Sequence, residues 1–211
     1  MMRLKLIYCT FFILMAQSSI AQSFEGIIKF KFYTPIDTSH YIYYEKDGLV
    51  KIEEYTFDNR LKNFIVFDLK SMKATTFYPE RQVFFVVDNY FSGNSGNYEL
   101  KLEKGKKSKI YASKDCQEWI IKSKAQNVAA TFYVMPSNYE FSKSLLPILQ
   151  KKDKVFRYFM HFPELNGFLP MYVSEMGSGK NQRFAFEITS FGHQALLLSE
   201  FQFPKGYKLH E

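Results

Sequence analysis

Cysteine is almost missing from this chain: Cys9 and Cys116 are the only two in 211 residues. That excludes a disulfide-stapled scaffold and leaves too few thiolates for a cysteine-based zinc site. The four histidines, His40, His161, His193 and His210, are far apart and show no HExxH spacing. His210, next to last, is expected to be loose. No GxSxG elbow, P-loop or GxGxxG occurs, and the "GSGK" of Gly177 to Lys180 is too short to cradle a phosphate; it reads as a hairpin turn. The neighbouring carboxylates Glu53 and Glu54 point to opposite faces of a strand and cannot share a substrate. The chain is therefore expected not to be an enzyme and to carry no metal and no cofactor. It also lacks a Pro/Gly/Ser-rich linker, and past its first residues it has no apolar run long enough to span a bilayer.

Those first residues follow a three-part pattern. Arg3 and Lys5 precede an apolar run from Leu6 to Met15, and Ser19-Ile20-Ala21 offers a small-x-small cleavage site. Residues 1–21 are expected to be a secretory signal peptide, with a mature chain beginning at Gln22. Cys9 does not suit a lipid anchor, because it sits early in the apolar run behind the bulky Tyr8. Cleavage leaves residues 22–211 as one exported, β-rich domain, periplasmic or secreted, with no transmembrane segment. Its 190 residues suffice for one core. Cys116 is then alone and is expected to be buried and inert. The net charge of +7 falls to +5 when Arg3 and Lys5 leave. Its densest run, "EKGKKSK" with Lys104, Lys106, Lys107 and Lys109, reads as a solvated turn able to meet anionic headgroups. Nucleic acid is not an expected partner of an exported protein.

Strand signals fill most of the remainder. In "FEGIIKFKFYT", Ile28, Phe30 and Phe32 alternate with Lys29 and Lys31, the period of a half-buried strand. "IYYEKDGLVKIEE" repeats the pattern on both sides of Asp47-Gly48, which predicts a hairpin charged outside and apolar inside. "NFIVFDL", "KATTFYP", "QVFFVVD", "CQEWIIK", "AATFYVM" and the stretch around Phe184, Phe186 and Ile188 continue it. Turn signals lie at Asp58-Asn59, Pro79-Glu80 and the "SGNSGN" of Ser92 to Asn97. "NFIVFDL" and "QVFFVVD" are apolar on both faces and are expected to be central strands. From Phe141 to Phe162 the period changes, with Leu145, Leu146 and Leu149 at helical spacing and Pro147 suited to a first helical turn. A break is expected near Asp153. The fold class is mainly β (α+β): a curved antiparallel sheet or half-barrel packed over a central helical segment.

"YYEKDGLVKIEE", "FIVFDLKSMKATTFYPERQVFF" and the closing "SEFQFPKGYKLHE" together resemble a family of exported bacterial proteins defined only as a domain of unknown function. The matching residues are Tyr43-Tyr44, Val50 to Glu53, Phe67-Asp68-Leu69, Pro79-Glu80-Arg81, and Phe203-Pro204 with Gly206-Tyr207. Lys-Asp-Gly here replaces the family's Lys-Gly-Asp, and Ser142 to Gly167 is longer than in the family pattern. The resemblance implies an architecture similar to the outer-membrane lipoprotein carriers, whose half-barrels hold acyl chains.

With 23 Phe and 15 Tyr, the chain can line a wall or fill a core. The first functional expectation is a non-catalytic periplasmic binding or carrier-like protein for a lipid or other hydrophobic ligand, with Leu145, Leu146, Leu149, Phe156 and Phe159 as the apolar lining. The alternative is a ligand-free interaction or structural module with an envelope protein partner, marked by an aromatic surface strip at Tyr41, Tyr43 and Tyr44.

Overall fold

The protein is described by a computed structural model covering residues 24–90, 98–125, 127–137, 141–177 and 181–210. The expected leader 1–21, the start at Gln22 and the "SGNSGN" turn lie outside the described residues. In chain order the strands are β1 Gly26–Tyr33, β2 Thr38–Lys46, β3 Leu49–Tyr55, β4 Leu61–Asp68, β5 Lys73–Tyr78, β6 Val83–Val87, β7 Lys101–Tyr111, β8 Lys114–Ser123 and β9 Val128–Pro136. Helices α1 Phe141–Lys152 and α2 Lys154–Met160 follow, then β10 Phe168–Met176, β11 Gln182–His193 and β12 Lys208–Leu209. Short 3-10 turns occupy Pro163–Leu165 and Leu198–Phe201.

All twelve strands form one open sheet in the order β12-β6-β5-β4-β3-β2-β1-β11-β10-β9-β8-β7. Neighbours are antiparallel except β12, which runs parallel to β6, so the sheet is mixed rather than wholly antiparallel. The β2–β3 hairpin turns at Asp47 and Gly48, whose φ angles of 54° and 83° are those of a type I′ turn. The opposite-hand twist of that turn suits the twist of the strands it joins.

The alternation of β1 and β11 gives the sheet an inner face, covered by both helices. Phe32, Phe184 and Phe186 meet Phe156 of α2 there, with ring centroids 5.0 to 6.2 Å apart. Phe24 and Phe191 flank Phe141 of α1. The outer face is covered toward its two ends, and the chain after β11 also crosses β3 on its way, with Leu196 and Phe201 buried. At one end, the chain after β11 lays Phe203 and Tyr207 on Phe77, at 5.1 and 5.5 Å, sealing a cluster with Phe64 and Val66. At the other, Tyr111 of β7 stacks on Tyr172 of β10 at 4.9 Å, although β7 lies three strands away. A bulge between Lys104 and Ser108 bends β7, so the tip of the β7–β8 hairpin folds back over the outer face.

Several expectations change. β6 ("QVFFVVD") is near the margin, with Val86 and Val87 exposed, because only the two residues of β12 lie beyond it. β4 ("NFIVFDL") is covered on both faces, as expected. The lysines of "EKGKKSK" belong to the edge strand β7 rather than to a turn; lysines and a bulge on an edge deter pairing with another sheet. Pro147 lies inside α1, which begins at Phe141, instead of in its first turn. His210 is held, its N–H donating to Phe84 O at 2.9 Å and its ring stacking on Phe85. Cys116 is buried, and burial raises its thiol pKa.

Candidate functional site

The helical segment is tied to the inner face by charged and polar groups that the apolar pattern does not reveal. Tyr43 Oη donates to the Glu45 carboxylate and lies 2.7 Å from Ser144 Oγ of α1, which is 2.8 Å from the same carboxylate. Burial, then the Glu45 charge, pushes the Tyr43 hydroxyl well above its ordinary value. The three groups are closed off from solvent, so this constellation cannot reach a substrate.

About two turns further along α1, Lys152 Nζ donates to Glu54 Oε2 at 2.8 Å and sits over the Tyr41 ring. Lys62 holds the other oxygen of Glu54 at 2.8 Å. Burial alone would raise the Glu54 carboxyl, but the charges and hydrogen bonds of Lys152 and Lys62 outweigh it and hold the pKa at about 2. Glu53, the next residue, faces outward and binds Lys51, Tyr44 and Tyr55. The hairpin is therefore not simply charged outside and apolar inside: Glu45 and Glu54 turn inward because paired donors meet them there. The expected break between the helices is at Asp153, in extended backbone, whose side chain accepts from Val155 N as an N-cap. Asp153 also accepts from Arg183, which spans to the buried Glu175. Each of these groups fixes a helix on the sheet.

The five residues expected to line a ligand site divide by helix phase. Leu145, Leu149 and Phe156 are fully buried against the sheet within the main core. Leu146 is half-buried at the margin of that core and also lines a crevice beside it, and Phe159 reaches both the core, at Phe132, and the same crevice. Together with Pro147, Met160, Leu165 and Phe168 they line this crevice of about 190 Å³ between α1, α2 and the start of β10. Ser142, Lys143 and Asn166 are at its polar rim. Pro147, Met160, Leu165 and Phe168 were not among the lining residues expected from the sequence. The signal for them was weak: Pro147 falls one residue from Leu146, whereas Leu165 and Phe168 arrive through a 3-10 turn without helical period.

The aromatic strip at Tyr41, Tyr43 and Tyr44 is not a surface feature. Tyr41 and Tyr43 are buried on the inner face, and Tyr44 is half-buried against Glu53. Among the described residues no three His, Cys, Asp or Glu side chains gather as a metal site, and no helix is long and apolar enough to cross a membrane.

No family model matches the chain, and no curated protein matches it either. Solved structures do. A conserved uncharacterised protein from Thermus thermophilus superposes with a TM-score of 0.56 at 9% identity, over 89% of this chain and 90% of that one. MucB in complex with MucA from Pseudomonas aeruginosa gives 0.46 at 11% identity, over 87% of this chain and 56% of that one. An outer-membrane lipoprotein-sorting protein domain from Vibrio parahaemolyticus gives 0.36 at 8% identity, over 90% and 95%. At such identities the first likeness defines a shared fold and nothing about chemistry.

Proposed function

We propose that this protein is a non-catalytic, exported interaction module of the cell envelope, built as a half-barrel over its helices, and that it takes an apolar side chain of a partner protein into the α1–α2 crevice. The size of that crevice carries the reading. At about 190 Å³ it is below the roughly 300 to 1,000 Å³ of small-molecule sites and suits one large apolar side chain. Its wall is apolar, its rim polar, and Met160 beside it is exposed, which is the anatomy of a small interface pocket. The burial of Leu145 and Leu149 and the ring packing of Phe156 against the sheet speak against a whole acyl chain held beneath the helices. The absence of catalytic motifs from the sequence supports a non-catalytic role, and the leader-like first residues support export.

The test joins two measurements on the chain purified from a bacterial periplasm without detergent. Native mass spectrometry is expected to give the bare mass. A benzophenone amino acid at position 146 is expected to crosslink to one envelope protein, with the crosslink lost in Met160→Glu. A lipid released by organic solvent from the native complex would overturn this reading and restore the carrier.

A further inference from the structure

The outer face is roofed only in part. On the outward rows of β1, β2, β3 and β11 lies a groove of about 410 Å³ lined by Lys29, Lys31, His40, Tyr55, Asn59 and Thr189 together with apolar residues of β1 and β2, and by no residue of either cover. It is centred where β11 carries an extra residue: Lys29 pairs with Ser190 and Phe30 with Ile188, leaving Thr189 as a bulge whose hydroxyl donates to Lys29 O at 3.2 Å. Bulges bend a strand and re-aim its side chains, and they recur beside functional sites.

The charge in this groove is one-sided. Lys29 and Lys31 stand two residues apart on the same face of β1, about 7 Å along the strand, and His40 is directly opposite Lys31. No carboxylate lines the groove. The two nearest in register form no ion pair with these lysines: Glu187, opposite Lys31, accepts from Tyr33 Oη at 3.2 Å, and Glu53, opposite Ile42, is held by Lys51, Tyr44 and Tyr55. Among the described residues neither Lys29 nor Lys31 has an ion-pair partner within 4.0 Å. Neighbouring ammonium groups of like sign repel, and an anion seated between them removes that cost.

We propose that this groove binds a small, soluble molecule through its phosphate group. Two ammonium groups, an imidazole and the Asn59 amide offer donors from several sides. That suits the several oxygens of a phosphate better than the two of a carboxylate, and lysine serves phosphate as a point charge. The volume falls within the range of small-molecule sites. The site lies on the face opposite the helices, so its fate is independent of the crevice.

The probe is sn-glycerol 3-phosphate, titrated by calorimetry into the mature chain, with glycerol as the neutral control. Saturable binding tighter than about 1 mM is expected, weakening as salt rises from about 0.01 to 0.15 M. Lys29→Ala with Lys31→Ala should weaken it at least about tenfold with an unchanged circular dichroism spectrum, while Lys73→Ala on β5 leaves it intact. Absence of saturable binding, or equal loss in Lys73→Ala, overturns the proposal. So does binding of phosphatidylglycerol vesicles through Lys29 and Lys31 when the soluble phosphate does not bind.

Discussion

The two faces of this sheet are written with the same alternation and end in different states. On the inner face, phenylalanines from β1 and β11 meet those of α2 ring against ring, and each inward carboxylate, Glu45, Glu54 and Glu175, has its donors. On the outer face, the C-terminal stretch and the β7–β8 tip cover parts of the sheet, and the groove left between β3 and β11 presents lysines to solvent. Both faces bury apolar groups wherever a second layer of chain arrives. The difference lies in what arrives: two helices that also bring counter-charges on the inside, a tail and a hairpin tip on the outside. Stability should therefore be concentrated within, and exchangeable contacts without.

The largest expected effect tests the inner layer. Phe156 is fully buried and meets Phe32, Phe184 and Phe186, so Phe156→Ala leaves a cavity that the two strands carrying these rings cannot close. It should lower stability by about 3 to 5 kcal/mol in urea unfolding with the m-value unchanged. A loss below about 1 kcal/mol would mean that α2 does not bear on the sheet as described.

Next comes Glu54, the inward charge. Its folded pKa of about 2 lies below the ordinary carboxylate value of 4.5, so the native state holds fewer protons than the unfolded chain between those pH values. The stabilisation is fully present above pH 4.5 and is lost as pH falls toward 2, by about 3 kcal/mol. Glu54→Gln should flatten the acid limb of the stability curve. Lys152→Met should raise the Glu54 pKa, measurable by carboxylate NMR titration.

How much of this contrast is legible in the sequence follows from range. The β2–β3 hairpin could be read because its turn is local: Asp47-Gly48 suffices. Strand phase could be read as well, and phase alone places Glu45 with Tyr43 and Glu54 with Ile52 on the inner side. What argued for placing charge outside was the missing partner, and the partners, Ser144 and Lys152, are 99 and 98 residues away. The margin position of β6 was hidden for the same reason, since its cover is made by residues of the C-terminal stretch. In the helical segment, spacing identified Leu145, Leu146 and Leu149 as one apolar group. It could not say that Leu146 alone among them faces the crevice, because that depends on where α1 starts relative to Pro147.

On the outer face a smaller loss is expected. Tyr207 lies against Phe77 and Phe64 and is itself half-exposed, on a tail that is anchored elsewhere by Leu196, Phe201 and the pairing of β12. Tyr207→Ala should cost about 1 kcal/mol in urea unfolding and, more tellingly, should raise amide exchange in β5 and β6 while β1 and β11 stay protected. Equal loosening of all four strands would erase the distinction between the faces.

The smallest effect belongs to Trp119, where an inward-facing residue breaks the rule of satisfied polar groups. Its partner across the strands, Phe132, packs on α2, so Trp119 faces the helices too, beside Phe168. Its indole Nε1 is buried without a hydrogen-bond partner among the described residues. A buried donor left unpaired costs about 1 to 3 kcal/mol, while Trp→Phe removes ring area of similar worth. The two changes oppose each other. Trp119→Phe should therefore shift the unfolding free energy by less than about 1 kcal/mol, followed by circular dichroism because the variant has no tryptophan left to report. A clearly larger loss would show that Nε1 has a partner after all, and every polar group identified on the inner face would then be satisfied.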